Sequence, residues 1–315
     1  MLPLVSVIMP AYNGEKFIEE SIKSIIAQTY CHWELIIVDD CSTDNTYNII
    51  QTFKEKRIKI FQNKTNLGIA ATTNRAIEQS NGKYIALLDD DDISMADRIE
   101  LQVRYMEKNP EIAILGGGAF CINESGEFIG YFPEPRNNPN YIHAMLLFQN
   151  LDFANSTTMI RKDFIKENNL TYKNDCFGMQ DYRFFVEASK LGRISAINNF
   201  LIEYRWHSDN ETKKIKEIYK KEREKKYLDF QLYSLSESGF VLSKSQIQTI
   251  SKFFSAYGGK CNTRKDVEAL YDVLNDILKQ AKKMNVEYYD ELVHVCKTKF
   301  AKVLIKSDLF EKMCL

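Results

Sequence analysis

Short apolar segments alternate with longer amphipathic ones in the first third of the chain, and this rhythm restricts the fold more than any other feature. Four short segments have the apolar content of buried strands, at residues 5–9, 34–38, 57–61 and 83–88. Amphipathic segments with helical spacing separate them, for example residues 15–28. A further helix is predicted from about Ser94 to Lys108. Strands that alternate with helices predict an α/β fold, with a mostly parallel sheet flanked by helices.

Polar residues follow three of the predicted strands, at the point where each strand ends. Residues 10–13 come after the first strand, Asp39 and Asp40 after the second, and residues 89–92 after the fourth. Open parallel sheets bind their ligands at the edge where the strands have their carboxyl ends. We therefore predict that these three segments lie in one cleft.

The rest of the chain divides into a mixed region and a helical region. The mixed region contains three strand candidates, at residues 112–115, 155–160 and 194–204, and the first of them runs into Gly116-Gly117-Gly118. After His207 the composition shifts, and helical patterns continue towards the C-terminus. We predict two domains, an α/β domain of residues 1–211 and a helical C-terminal appendage of residues 212–315.

Composition narrows the class of protein. A chain of 315 residues with 44% hydrophobic and 27% charged side chains can form a packed core. The formal net charge of −1 argues against a broad nucleic-acid surface, and no apolar run reaches the roughly 18 residues that span a bilayer. The seven cysteines are scattered and form no CxxC pair, which indicates a reducing compartment. We expect a cytoplasmic protein without nucleic-acid partners.

Four consecutive aspartates at residues 89–92 concentrate negative charge at the end of a strand. Neighbouring carboxylates repel each other, and a buried carboxylate without a partner is costly, so this site requires a cation or several donors. Mg²⁺ and Mn²⁺ prefer carboxylate oxygens together with substrate phosphates. The Asp-x-Asp spacing makes Asp89 and Asp91 the pair that reaches one side of a turning chain. The alternative is a solvated loop that caps the next helix.

Four motifs occur in a fixed order: Val5-Ser6-Val7-Ile8-Met9-Pro10-Ala11-Tyr12-Asn13, Leu35-Ile36-Ile37-Val38-Asp39-Asp40-Cys41-Ser42-Thr43-Asp44, Asn66-Leu67-Gly68 and Gly82-Lys83-Tyr84-Ile85-Ala86-Leu87-Leu88-Asp89-Asp90-Asp91-Asp92. Their order and spacing resemble the family 2 glycosyltransferases, which have the GT-A fold. The combination is far more specific than any single motif. The resemblance covers residues 3–210 and does not reach the C-terminal region. Cys41 stands where the family commonly has glycine.

The resemblance implies an inverting glycosyltransferase that moves a sugar from a nucleoside diphosphate sugar, in particular a UDP-sugar. The acceptor that it implies is a glycan or a lipid-linked glycan, as in surface polysaccharide synthesis. By position it assigns nucleotide binding to Pro10, Ala11, Tyr12, Asp39, Asp40, Asn66 and Asp90. It assigns a divalent cation, Mn²⁺ or Mg²⁺, to Asp89 and Asp91, with Asp91 as the first ligand.

The segment Gly178-Met179-Gln180-Asp181-Tyr182 resembles the part of the family that carries the catalytic base. Asp181 matches the base, and Gln180 replaces the usual glutamate. A carboxylate at a helix N-terminus is favoured in its ionised form, which suits a base that takes a proton from an acceptor hydroxyl. One such carboxylate suffices for a single displacement with inversion. The alternative is that Asp181 only stabilises the helix end.

The same resemblance implies roles for two further residues, His207 and Arg98. Tyr204-Arg205-Trp206-His207 is similar to the family's Tyr-Arg-x-His segment, which implies that His207 ligates the metal or touches the diphosphate. A structural histidine is the alternative. Arg98 is expected to form a structural ion pair or to take part in function.

The C-terminal region offers no catalytic motif. Lysine-rich residues 213–226 form either a solvated helix face or a surface that docks on an anionic membrane, where lipid-linked acceptors reside. The second interpretation places the protein at the inner face of the membrane. The helices that follow are candidates for a homodimer contact.

Two other classes of function stay open at this point. A nucleotidyltransferase would need a basic, glycine-rich loop after the first strand, whereas this chain has Asn13-Gly14-Glu15-Lys16 there. A non-catalytic module that binds sugar or a partner on a GT-A scaffold is supported only by the unusual Gln180.

Overall fold

The computed structural model describes residues 2–176, 178–208, 210, 218–255 and 259–306. The chain divides into two compact units, and each is treated separately below. Unit 1 comprises Met1–Asn137, Asp152–Asp175 and Leu191–Lys213. Unit 2 comprises Asn138–Leu151, Cys176–Lys190 and Lys214–Leu315.

All strands in the described ranges belong to one sheet in unit 1. The strands are β1 (Val5–Ala11), β2 (Trp33–Asp39), β3 (Ile58–Gln62), β4 (Tyr84–Leu87), β5 (Ile93–Ser94), β6 (Ile112–Ile122), β7 (Phe128–Tyr131), β8 (Met159–Arg161) and β9 (Arg193–Arg205). The α-helices that the structure describes are α1 (Ile18–Ile26), α2 (Thr46–Thr52), α3 (Ile69–Gln79), α4 (Arg98–Lys108), α5 (Pro139–Leu146), α6 (Lys162–Glu167), α7 (Gln180–Ser189), α8 (Lys220–Glu237), α9 (Lys244–Phe253), α10 (Arg264–Met284) and α11 (Tyr289–Ile305).

The strand order of the sheet is β3-β2-β1-β4-β8-β6-β9-β5, with β7 paired to β6. The first four strands in this order are parallel, as the alternation of strands and helices predicts. Strand β8 then lies antiparallel between β4 and β6, while β6 and β9 are parallel again. The α/β fold with a helix-flanked sheet that we predicted from the sequence is confirmed.

Helices cover both faces of strand β1. Its alternate residues Val5, Val7 and Met9 belong to one buried core, together with apolar residues of α1 and α4. Those helical residues recur three and four positions apart, at Ile18, Ile22, Ile25, Ile99, Val103 and Met106. Helix α3 contacts strands β1 and β2. Each fully buried aliphatic side chain stabilises the fold by about 1.5–3 kcal/mol.

The glycine triplet lies in the middle of a long strand, and it does not end the strand as its composition suggests. A Cβ atom on Gly116 would lie 2.5 Å from Cδ2 of Phe153, and one on Gly117 would lie 2.7 Å from Cγ of Leu201. Strand β9 changes register against Gly117 and Gly118, so its backbone approaches β6 closely. Glycine is required here for space.

Two predicted boundaries were wrong, for reasons of local pairing. Residues 155–160 were expected to be a strand, but Asn155–Thr157 forms a single 3-10 turn and only Met159–Arg161 pairs. The helix expected from about Ser94 begins at Arg98, because Ile93–Ser94 pairs with β9.

Unit 2 is helical, and it joins segments that are far apart in sequence. Helices α5 and α7 contact one another, α7 contacts α8, and α5 contacts α11. The predicted domain boundary between residues 211 and 212 falls outside the described residues and stays a prediction. Among the described helices, none is both long enough and apolar enough to cross a bilayer.

Gly116→Ala tests whether the glycine triplet is needed for packing. We expect the added methyl group to displace the Phe153 ring and to lower the free energy of unfolding by about 1–3 kcal/mol, measured by denaturant titration. The double variant Gly116→Ala/Phe153→Leu should lose less than the sum of the two single changes, because the smaller side chain relieves the clash. Additive losses, or a Gly116→Ala protein as stable as the wild type, would contradict this packing.

Candidate active site

Three loops of unit 1 meet at the carboxyl ends of β1, β2 and β4, as the sequence predicted. The amide of Tyr12 donates to Oδ2 of Asp90 at 3.1 Å, and the amide of Asp40 donates to the carbonyl of Ala11 at 2.8 Å. The amide of Asn13 donates to Oγ of Ser42 at 3.0 Å. Parallel register brings these loops to one edge of the sheet, because all three strands end there.

The carboxylate of Asp39 is buried, and one of its oxygens is unused. Oδ2 accepts from the amide of Ser42 at 3.2 Å and from Nε2 of Gln62 at 3.0 Å. Oδ1 finds no hydrogen-bond partner in the part of the chain that the structure describes. A buried carboxylate oxygen without a partner is costly, so Asp39 is suited to accept a hydrogen bond from a ligand.

The neighbouring Asp40 has a different arrangement, with both oxygens engaged. Oδ1 accepts from Nδ2 of Asn63 at 2.6 Å and from the amide of Leu67 at 2.8 Å, and Oδ2 accepts from the amide of Gly68 at 2.8 Å. The amide of Gly68 also donates to Oδ1 of Asn66 at 3.2 Å. Asp40 therefore fixes the loop before α3, and a direct contact of Asp40 or Asn66 with a nucleotide stays a prediction.

Cys41, which follows Asp40, has φ of 62° and lies in the left-handed region. Glycine adopts this conformation without strain, which gives a physical reason for the glycine that the family resemblance leads one to expect there. The cysteine keeps the turn, at the cost of some backbone strain.

The acidic turn, residues 89–92, separates its four side chains. Asp90 points towards Tyr12, and a Cβ atom on Gly14 would lie 3.0 Å from Cγ of Asp90, so the first loop needs glycine at this position. Carboxylate oxygens of Asp89, Asp91 and Asp92 lie within 4.8 Å of one another. The Asp-x-Asp spacing predicted that Asp89 and Asp91 converge but did not include Asp92, because a turn brings residues i and i+3 together whereas an extended chain does not.

The segment after β9 runs along this acidic turn. Asp91 Oδ2 lies 2.9 Å from Nε2 of His207 and accepts from Nδ2 of Asn210 at 3.2 Å. The backbone amide of Arg205 donates to Oδ1 of Asp92 at 2.9 Å, and Nε of Arg205 donates to the carbonyl of Asp91 at 3.0 Å. His207 thus contacts the acidic turn, and its role as a metal ligand or diphosphate contact stays a prediction. The contacts of Arg205 and Asn210 were not foreseen.

Burial and mutual repulsion disfavour the ionised forms of this cluster. Burial, with Asp91 and Asp89 nearby, raises the pKa of Asp92 well above its usual value. Burial and the Asp91 carboxylate do the same to the pKa of Asp90, against the hydrogen bond from the Tyr12 amide. The turn holds more negative charge than its protein neighbours offset.

Arg98 lies buried in the same region, and among the described residues it forms hydrogen bonds to neutral groups instead of the expected ion pair. Its guanidinium donates to the carbonyl of Leu87 at 2.7 Å and to Oε1 of Gln102 at 3.1 Å. Burial lowers the pKa of Arg98 to about 9, and the carboxylates of Asp92 and Asp89 oppose that shift. Arg98 therefore offsets the acidic turn through its field and supports the end of β4 through hydrogen bonds.

The acidic turn fits a hard divalent cation. Three carboxylates converge, and Oδ2 of Asp92 is buried with no hydrogen-bond partner among the described residues. Oxygen donors of this kind are the ligands that Mg²⁺ and Mn²⁺ take. A cation at this position would remove both the repulsion and the unsatisfied oxygen.

Asp181 lies in unit 2, in the first turn of α7, where the sequence predicted a helix start. Its Oδ2 accepts from Nδ2 of Asn150 at 2.8 Å, and its Oδ1 accepts from the amide of Tyr182 at 2.8 Å. Burial raises the pKa of Asp181, while these two donors and the charge of Arg223 partly oppose the rise. A carboxylate with a raised pKa is a stronger proton acceptor than an ordinary aspartate.

Comparison with known proteins places this architecture in a family. Residues 6–168 match the profile described as glycosyl transferase family 2. The chain is 37% identical over 217 residues to an uncharacterized glycosyltransferase of Haemophilus influenzae, an alignment that covers 66% of this chain and 67% of that protein. It is 34% identical over 195 residues to the Escherichia coli UDP-Glc:alpha-D-GlcNAc-diphosphoundecaprenol beta-1,3-glucosyltransferase WfgD, covering 62% of this chain and 73% of the relative.

A solved structure shares the fold. Crystalline S. aureus TarS 1-349 in complex with UDP-GlcNAc superimposes with a TM-score of 0.64 at 20% identity, covering 94% of this chain and 88% of that one. This supports the predicted GT-A architecture, and the sequence match identifies the family. The chain belongs to glycosyltransferase family 2.

Proposed function

We propose that this glycosyltransferase uses a divalent cation and a UDP-sugar, and that it inverts the anomeric centre. The observation that carries the proposal is the edge of the sheet in unit 1. There an unpartnered oxygen of Asp39 and the converging carboxylates of Asp89, Asp91 and Asp92 occupy the ends of parallel strands. The Asp39 oxygen is suited to a nucleotide base that donates an N–H hydrogen bond. The three carboxylates are suited to a metal-bound diphosphate.

The nucleotide base is proposed to bind at Asp39. As an ionised carboxylate only accepts hydrogen bonds, Oδ1 selects a base that presents an N–H group, as the imide of uracil does. Tyr12 follows Pro10 and Ala11, the last residues of β1, and with 48% of its surface exposed its ring is available to the nucleotide base. The names of two similar proteins agree with uridine: WfgD is a UDP-Glc transferase, and TarS crystallised with UDP-GlcNAc.

The diphosphate is proposed to lie at the acidic turn. Asp91 and Asp89 would hold Mn²⁺ or Mg²⁺, and Asp92 and His207 are further candidate ligands from the same cluster. A bound cation there would act as a Lewis acid that stabilises the departing diphosphate. Asp90 accepts a hydrogen bond from the Tyr12 amide and so keeps the loop that carries Tyr12 in contact with this turn.

Asp181 is proposed to be the catalytic base. It would take the proton of the acceptor hydroxyl as that oxygen attacks the anomeric carbon from the face opposite the diphosphate. One carboxylate is enough for such a displacement, and the product has inverted configuration. Gln180 precedes the base, and as a neutral amide it can contribute hydrogen bonds but no second charge.

The acceptor is proposed to be a glycan or a lipid-linked glycan. Support comes from WfgD, whose name contains a diphosphoundecaprenol acceptor. We further propose that the protein works in the cytoplasm at the inner face of the membrane, where the exposed Lys221 and Lys225 of α8 would favour anionic lipid. A homodimer through the C-terminal helices is a further proposal. Neither the nucleotidyltransferase nor the non-catalytic module gains support from the relatives.

Removal of the metal tests the cofactor. Treatment with EDTA should abolish UDP release from UDP-glucose or UDP-N-acetylglucosamine, and Mn²⁺ or Mg²⁺ should restore it. Because protons compete with the cation for Asp92, whose pKa is raised, the half-saturating Mn²⁺ concentration should fall as the pH rises. Full turnover after exhaustive chelation would contradict a metal-dependent mechanism.

Asp181→Asn tests the base. The amide keeps the shape of the side chain but accepts no proton, so kcat should fall by about 10²–10⁴-fold while UDP still binds with Mn²⁺. Asp163→Asn is a matched control: Asp163 is exposed in the first turn of α6, and its Oδ1 accepts from the next amide as Asp181 does. Equal turnover by the Asp181→Asn and Asp163→Asn proteins would refute the assignment.

A further inference from the structure

We propose that Asn150 and Arg223 form a clamp that positions the carboxylate of Asp181, and that helix α8 thereby takes part in catalysis. All three residues belong to unit 2. The inference rests on the proposed function of Asp181 as the base. It assigns a role to the helices beyond residue 212, for which the sequence suggested only surface functions.

Asn150 holds one oxygen of the base. Its Nδ2 donates to Oδ2 of Asp181 at 2.8 Å, and its own Oδ1 accepts from the amide of Leu151 at 2.9 Å. The Leu151 contact fixes the orientation of the amide group, because an N–H donor needs the oxygen of Asn150 on its side. The NH₂ group must therefore face Asp181, where it favours the ionised carboxylate.

Arg223 acts on the loop that precedes the base. Its Nη1 donates to the carbonyl of Gly178 at 3.1 Å, three residues before Asp181. Gly178 has φ of 68°, so the loop makes a left-handed turn immediately ahead of α7. The guanidinium fixes that turn, and its positive charge favours the ionised form of Asp181.

Helix α8, which carries Arg223, is held against the segment that carries Asn150 and against helix α7. Nε2 of Gln231 donates to the carbonyl of Phe148 at 2.6 Å, two residues before Asn150. The guanidinium of Arg183 on α7 lies 3.8 Å from the ring centre of Tyr233 on α8, and Lys190, the residue after α7, pairs with Glu237 of α8 at 2.8 Å. These contacts fix the helix that carries Arg223 relative to the helix that carries Asp181.

The groups that face Asp181 determine the sign of the effect. Arg223 presents a positive charge from α8, the segment after α5 presents the neutral amide of Asn150, and α7 itself presents the Tyr182 amide. Each of them lowers the pKa of the base against the effect of burial. Removal of either clamp residue should therefore raise that pKa, and a base is active only above its pKa. The acid limb of the pH profile should move to higher pH.

The test uses full-length Asn150→Ala and Arg223→Gln proteins, with kcat and KM for UDP-sugar turnover measured across the pH range. We expect kcat at neutral pH to fall about tenfold or more. The acid limb of the kcat/KM profile should shift to higher pH by roughly one pH unit. The affinity for UDP in the presence of Mn²⁺ should not change. Arg223→Lys keeps the charge and should retain the wild-type acid limb. If Arg223→Gln fails to fold, Arg223→Lys is the variant at this position that can still be measured.

Two control variants separate this role from general stability. Asn138→Ala removes the side chain that caps α5, and Arg264→Gln removes an exposed ion pair of α10. Both lie in unit 2, and neither should move the pH profile. Acid limbs like the wild type in Asn150→Ala and Arg223→Gln would overturn the clamp even if Asp181→Asn is inactive. A fully active Asp181→Asn protein would instead overturn the base on which the clamp rests.

Discussion

Four adjacent carboxylates at the end of one buried strand repel each other, and the way in which the fold contains that repulsion shapes the whole edge of the sheet. Asp90 accepts a hydrogen bond from the Tyr12 amide, and Asp92 accepts one from the Arg205 amide. Asp91 contacts His207 and Asn210. These contacts separate the charges without neutralising them, since most of the donors are uncharged. Burial then makes the residual charge costly. A cation is the partner that this geometry lacks, and a diphosphate is the anion that such a cation would bring.

The end of β9 connects this turn to distant parts of unit 1. The side chain of Arg205 is 2% exposed, and besides Asp91 it reaches Glu20 on α1 at 2.6 Å and the carbonyl of Glu124 at 3.3 Å. The Glu20 carboxylate is 60% exposed, so the ion pair itself adds only about 0–1 kcal/mol. The hydrogen bonds to the carbonyls of Asp91 and Glu124 matter more, because their loss would leave donors of the buried guanidinium unsatisfied.

The alternation of strands and helices was enough to predict the parallel half of the sheet, and the strand ends were enough to locate the loops that meet there. Details that depend on partners remote in sequence could not be predicted. Asp39 and Asp40 look equivalent along the chain, yet only Asp40 meets the amides of the loop before α3. The glycine triplet resembles a strand end until Phe153 and Leu201 are seen against it. For the same reason, Asn150 and Arg223 carried no local signal.

The position of the cation is the most direct test of this account. Crystals grown with UDP and Mn²⁺, with diffraction measured at a wavelength where manganese scatters anomalously, would show that position without an assumed acceptor. We expect one strong anomalous peak bound by Asp91 and at least one more carboxylate of the acidic turn, with the diphosphate on its open side and the uracil imide on Oδ1 of Asp39. Ordered UDP whose diphosphate has no manganese peak beside it, or a peak away from residues 89–92, would contradict the central claim.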